Sequence, residues 1–213
     1  PITGRPAGWC DMIARFWPVR GIIGENGAFF FSYDHKKKKM IRRYIQNEKE
    51  RSEGRKKLEK IKQKVLEEVD GCAVSSDQFS RVSDLAIDFC EDVPDLPIEA
   101  VKKIKEIFVQ SGATAKISSI HVNAWFGDYN KLEMTRIFTK EIFDLDLDRR
   151  KDDFVFCGDS PNDEPLFEYF PNSCGVANVK DFHSEMTCMP TYVSRSKGGK
   201  GFIEICNKFL GSD

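Results

Sequence analysis

Phe154-Val155-Phe156-Cys157-Gly158-Asp159-Ser160-Pro161-Asn162-Asp163 is an apolar run that breaks at a glycine and opens into two carboxylates. The run Phe154 to Phe156 predicts a buried strand, and the segment from Asn162 predicts a helix with Pro165 in its first turn. Asp159 then stands at the carboxyl end of a strand, where open α/β sheets collect ligands and a following helix presents unpaired N–H groups. Two carboxylates on one tight turn repel each other unless a cation lies near, so oxygen-liganded Mg²⁺ is the expectation. The same residue types also build ordinary turns and helix caps, and on these residues alone both readings stand open.

The rest of the chain sets bounds. At 213 residues it is long enough for one large domain or two small ones with a sizeable core. Its 40% hydrophobic and 31% charged residues are those of a globular protein. Lys and Arg total 33 against 34 Asp and Glu, so no global field favours nucleic acid or a membrane surface, and any charge-based function must be local. The cysteines (10, 72, 90, 157, 174, 188 and 206) form no Cys-x-x-Cys pair. Several lie in apolar runs, where a thiol acts as a small hydrophobe, so a reducing cytoplasm is expected. No apolar run approaches the roughly 20 residues of a membrane helix, and no signal peptide is visible. Pro1-Ile2-Thr3-Gly4-Arg5 lacks an initiator Met and reads as the end of a strand, so the expectation is a fragment of a longer chain.

In chain order, a helix follows Thr3-Gly4-Arg5-Pro6, with Trp9, Ile13, Phe16 and Trp17 spaced for one buried face. Gly21 to Phe31 predicts two strand segments around a Glu25-Asn26-Gly27 turn. From His35 to Lys57 the residues are nearly all charged. A Lys run at 36–39 admits a nucleic-acid patch, but acidic residues follow and no aromatics interleave, so a solvated helix pair interrupted at Gly54 is the expectation. Leu58, Ile61, Val65 and Val69 mark a packed helical stripe. Strands are expected at 72–74, 85–89, 114–117 and 120–126. Between them a helix over 97–110 is capped by Asp95, with Ile98, Val101, Ile104 and Phe108 inward. Alternation separates His121, Asn123 and Trp125 from Val122 and Ala124, and Asp88 from Ile87 and Phe89. After Gly127 a helix carries Lys131 at its start and Met134, Ile137, Phe138 and Ile142 inward. The Asp144 to Asp148 run reads as a loop, strands follow at 173–176 and 191–194, and a glycine-rich loop at 197–201 opens a terminal helix.

Gly158, Asp159, Asn162 and Asp163 resemble the fourth motif of haloacid-dehalogenase-superfamily phosphatases, Gly-Asp-x-x-Asn-Asp after a hydrophobic strand. Thr3-Gly4-Arg5 is similar to their second motif, Lys131 to their third, and Glu-Asn-Gly-Ala to the corresponding stretch of the type IIB branch; Lys140, late in its helix, is the poorer match for the third. The resemblance implies a Rossmann-like α/β core of parallel sheet and flanking helices over 1–34 and 129–213, with an inserted α+β cap over 35–128. It further implies hydrolysis of a small phosphate ester through an aspartyl phosphate, sugar phosphates being the family's commonest substrates. In that scheme Thr3, Gly4 and Lys131 hold the phosphoryl oxygens, Asp159 ligates Mg²⁺, and Asn162 and Asp163 orient its waters and Lys131. Asp88, His121, Asn123 and Trp125 are the cap candidates for substrate choice. The family's first motif, Asp-x-Asp-x-Thr with the nucleophile, has no match in this sequence. Either an upstream strand supplies it, the reading preferred here, or the chain is a non-catalytic phosphate-binding relative or interaction module.

Overall fold

The computed structural model describes residues 1–211 and has a mixed α/β fold, as expected. Its contacts divide it into two compact units, Pro1–Phe138 and Thr139–Asp213.

The first unit contains α1 (Ala7–Phe16), β1 (Ile22–Gly24), β2 (Phe29–Asp34) and β3 (Lys39–Tyr44), the strands forming an antiparallel sheet in that order. Ile2 bridges Ile23 in parallel, which leaves Thr3 at the carboxyl end of an extended segment beside β1. Next come α2 (Glu48–Glu68), β4 (Ala73–Val74), β5 (Leu85–Asp88), α3 (Ile98–Gln110), β6 (Thr114–Ile117) and β7 (His121–Trp125). Their strands form a second antiparallel sheet of order β4-β5-β7-β6. Leu58, Ile61 and Val65 of α2 and Val101, Ile104 and Phe108 of α3 close one core over Leu85, Ile87, Val122 and Ala124 of that sheet. Each of these side chains larger than alanine contributes roughly 1.5–3 kcal/mol on burial. Helix α4 (Lys131–Phe143) follows.

The second unit holds α5 (Leu147–Arg150), β8 (Val155–Gly158), α6 (Glu164–Tyr169), β9 (Asn172–Gly175), β10 (Tyr192–Val193) and α7 (Gly198–Leu210). Its sheet is parallel, in the order β10-β9-β8, so among the described residues β8 has a strand partner on one side only. Phe156 stacks on Phe170 and meets Phe167 at a tilt, with ring centroids 6.0 and 5.5 Å away, which docks α6 onto β8. Among the described residues no helix is long and apolar enough to cross a membrane.

Several local expectations are corrected. Helix α1 buries Ala7, Cys10, Ile13 and Ala14, whereas Trp9, Phe16 and Trp17 are 46%, 79% and 52% exposed. The helix lies so close to β1 that a Cβ on Gly24 would stand 2.7 Å from the Cys10 sulfur; small side chains fit that interface and large aromatic ones do not. Residues 39–44 form β3 rather than helix, because the Phe29-Phe30-Phe31 strand takes an edge partner whose Met40 and Tyr44 join the α1 cluster. Helix α2 is one uninterrupted helix, started by an Asn47–Glu50 capping box, and the buried Gly54 brings its backbone near the Phe126 Cβ instead of breaking it. Helix α3 begins after Pro97 without a side-chain cap from Asp95, and Ile98 is 38% exposed. The aspartate run is not all loop: Asp146 accepts from the Asp148 and Arg149 N–H groups and caps α5.

Candidate functional site

The Gly158–Asp163 turn, in the second unit, carries several bonds among its own residues. The Asp163 carboxylate reaches back to accept from the N–H groups of Asp159 and Ser160, at 2.9 and 3.4 Å. Ser160 Oγ contacts Asp159 Oδ1 at 3.2 Å and donates to Asn162 Oδ1 at 2.8 Å. A Cβ on Gly158 would fall 2.5 Å from Asp163 Oδ2, so glycine is required for this back-reach. Asn162 and Asp163 are buried and Asp159 is half-buried, at the carboxyl end of β8.

Among the described residues no group of three or more His, Cys, Asp or Glu side chains is arranged to hold a metal ion. The donor set of this turn nevertheless suits Mg²⁺, which keeps several waters and takes only one or two protein carboxylates beside substrate oxygens. Asp163 accepts from two backbone N–H groups, and Asp159 stands at the carboxyl end of β8, a place that suits a carboxylate ligand of a hard cation.

The first unit assembles Thr3, Gly4 and Lys131 around the Glu25-Asn26-Gly27 turn. Asn26 N donates to Thr3 O and Glu25 N to Arg5 O, each at 3.1 Å. A Cβ on Gly4 would lie 3.2–3.3 Å from the Asn26 amide, and one on Gly27, whose φ is +107°, would run into the Asn130–Lys131 peptide. The turn therefore joins the Thr3–Gly4 loop to the start of α4, where Lys131 is buried. Thr3 Oγ1 accepts from Arg5 N at 3.1 Å, which directs the hydroxyl proton elsewhere. The sequence reading took Asn26 for a turn former; its left-handed φ of 56° agrees with that, and the contacts add the joining role.

Four residues that sequence reasoning missed hold this assembly in place. Glu25, fully buried, accepts from the N–H groups of Ala7, Val82, Ser83 and Asp84. Burial first, and the charge of Asp84 second, push its carboxyl up to about 8 against the pull of those N–H groups. Burial also raises Asp84, against the charge of Arg81. Arg81, its side chain wholly inaccessible, lies between Asp77 and Asp84 and donates to Gly4 O at 2.8 Å. Burial raises Asp77, but the Arg81 charge together with the hydrogen bonds from Ser75 and Arg81 leaves that carboxyl below its ordinary value. Arg5 turns toward the same segment, bonding Asp77 at 3.3 Å and Glu91 at 2.5 and 3.1 Å, with its guanidinium over Trp9. Arg81 finds Asp77 and Asp84 four and three positions away, but its bond to Gly4 spans 77 positions and those of Glu25 to Ala7 and 82–84 span 18 to 59, so no local signal marked the assembly.

The cap candidates separate. Asn123 donates to Asp84 Oδ2 at 3.0 Å, and its Oδ1 would lie 3.5 Å from a Cβ on Gly4. His121 Nε2 lies 3.0 Å from Glu91 Oε2, one step from Arg5, and burial and the Arg81 charge lower its pKa. Asp88, opposite His121 on the neighbouring strand, accepts from the N–H groups of Cys90, Glu91 and Asp92 and holds their loop. Trp125 stacks on Tyr129 with centroids 5.6 Å apart.

No protein-family model and no curated protein matches the chain. Solved structures do match in fold. A Thermoplasma acidophilum protein is 17% identical with a TM-score of 0.65, over 98% of this chain and 81% of its own. The sucrose-phosphatase of Synechocystis sp. PCC6803, solved with sucrose and phosphate, is 15% identical with a TM-score of 0.63, over 98% and 82%. The haloacid-dehalogenase subclass IIB sugar phosphatase BT4131 is 13% identical with a TM-score of 0.60, over 98% and 84%. The chain thus has the fold of haloacid-dehalogenase-superfamily subclass IIB phosphatases.

Proposed function

We propose that the protein is an Mg²⁺-dependent phosphatase of small phosphate esters, sugar phosphates in particular, working through an aspartyl-phosphate intermediate. The observation that carries this reading is the Glu25-Asn26-Gly27 turn, which draws the Thr3–Gly4 loop and the start of α4 into one assembly. In this scheme the Thr3 hydroxyl donates to a phosphoryl oxygen and the Lys131 ammonium balances its charge. Asp159 would hold Mg²⁺, with Asn162 and Asp163 setting the turn around it; bound there, the ion would neutralise the phosphoryl group during transfer. Residues 1–34 and 129–213 would form the catalytic core and 35–128 the substrate-choosing cap. This grouping by role crosses the contact-based units. The free cysteines suit a cytoplasmic setting.

The nucleophile is the piece this sequence does not contain. A strand bearing Asp-x-Asp would take the unpaired edge of β8, whose apolar residues otherwise stand at a sheet margin. The test compares phosphate release from a panel of sugar phosphates by the present chain and by one extended upstream with such a strand. The extended chain is expected to turn over with Mg²⁺ and to lose activity in Lys131→Ala and Asp159→Asn, while the present chain stays silent. Turnover by the present chain would refute the missing nucleophile. Silence of the extended chain on every ester would favour the non-catalytic reading, a binder of phosphorylated ligands.

A further inference from the structure

Arg81 lies 77 positions from the Thr3–Gly4 loop in sequence, yet its guanidinium Nη1 donates to the Gly4 carbonyl at 2.8 Å. The rest of the fork is occupied. Nε and Nη2 reach Asp77 Oδ1 at 3.2 and 3.0 Å, and Nη1 also reaches Asp84 Oδ1 at 3.0 Å. A guanidinium taken wholly out of water costs several kcal/mol of desolvation, and a well-packed apolar group often serves stability equally well. Burial of an ion here therefore asks for a reason beyond stability.

The reason lies in which peptide it holds. The Gly4 carbonyl and the Arg5 N–H belong to one planar unit, with the two groups pointing in opposite directions. Arg81 holds the oxygen end, and the N–H end donates to Thr3 Oγ1 at 3.1 Å. A cation on the carbonyl polarises the peptide and strengthens the N–H as a donor. Because Thr3 Oγ1 accepts that bond, its own proton is turned away from the peptide, toward any anion seated at the loop.

We propose that Arg81 is a positioning residue for phosphate: through the Gly4–Arg5 peptide it orients the Thr3 hydroxyl as a donor to a phosphoryl oxygen. The inference rests on the phosphate-binding reading of Thr3 and Gly4 given above. Asp77 has a double part, since it holds Arg81 through Oδ1 and Arg5 through Oδ2, and so fixes the residue on each side of that peptide.

The test is a double-mutant cycle on inorganic phosphate binding in the presence of Mg²⁺, followed by calorimetry on the full chain. Thr3→Val removes the hydroxyl, and Arg81→Met replaces the guanidinium with an apolar side chain. Each alone is expected to weaken phosphate binding about tenfold, the double variant no more than Thr3→Val alone, because both act through one hydroxyl. Ile104→Val, a fully buried change within the α2–α3 core, is expected to lower the melting temperature without moving phosphate affinity. Should Arg81→Met fail to fold, Arg81→Lys serves in the same cycle, since a lysine ammonium cannot span both carboxylates and the carbonyl. Additive losses in the cycle, or unchanged affinity in the Arg81 variants, would overturn this inference alone. Absence of phosphate binding by the unmodified chain would overturn the phosphate reading of the loop and this inference with it.

Discussion

Two turns carry the candidate chemistry, and they are made in opposite ways. The Gly158–Asp163 turn carries side-chain bonds between residues one to four positions apart, and its Gly158 carbonyl accepts from Val176 N on the neighbouring segment. The Thr3–Arg5 turn has the local bond from Arg5 N to Thr3 Oγ1 and is further held by partners 20 to 86 positions away, on Glu25, Asp77, Arg81 and Glu91. Local bonds of this kind are specified by the residues of the turn itself. A turn held from a distance exists only once the segment bearing its partners has folded, and it inherits every change made there.

Substitutions can break this contrast, and the largest effect falls on the distant side. Glu25→Ala strands the buried N–H groups of Ala7, Ser83 and Asp84 and is expected to cost roughly 3 kcal/mol or more in urea unfolding. It should also change the amide signals of residues 3–7 and 82–84 together. A loss confined to one of those segments would show that Glu25 does not link them.

On the local side, Gly158→Ala drives a Cβ against the Asp163 carboxylate and is expected to cost about 1–3 kcal/mol, with amide shifts restricted to the neighbourhood of 155–164 and the paired residues 172–176. Spread of those shifts to Thr3 or Arg81 would erase the distinction between the turns.

A pH series sharpens the contrast further. The folded Glu25 carboxyl sits above its ordinary 4.5, at about 8, so the folded state binds the proton more tightly than the unfolded state. That contribution is complete below pH 4.5 and is lost as the pH rises through about 8. The denaturation midpoint is therefore expected to fall across this window, and Glu25→Gln to flatten the slope. An unchanged slope in Glu25→Gln would assign the pH dependence to another group.

The smallest effect is expected for Asp163→Asn, in which the amide oxygen still accepts from the Asp159 N–H. Its cost in denaturant should stay within about 1 kcal/mol. A loss as large as that of Glu25→Ala would mean that the local turn is not self-sufficient.

The same division explains what was readable beforehand. The strand-turn-helix at 154–169 was legible because its glycine, its carboxylates and its proline each have a local job. The α2 stripe and the β5 and β7 strands were legible for the same reason: periodicity reports which face is buried. Residues 39–44 misled because their charge describes an exposed edge strand as well as a helix, and only pairing with Phe29–Asp34 decides between them. Trp9, Phe16 and Trp17 misled because hydrophobicity alone ranks a large aromatic above an alanine, whereas the tight approach of α1 to β1 takes Ala7, Cys10, Ile13 and Ala14 instead.

By itself, the sequence determined the α/β class, the order of most elements and the self-bonded Gly158–Asp163 turn, since local propensity and period act over a few residues. Tertiary structure alone decided which face α1 buries, that β3 is a strand, and that Glu25, Asp77, Arg81 and Asp84 gather around Gly4. The physical reason is that a buried carboxylate or guanidinium is tolerable only where distant chain segments bring its hydrogen-bond partners to it, and no local pattern records where those partners will stand.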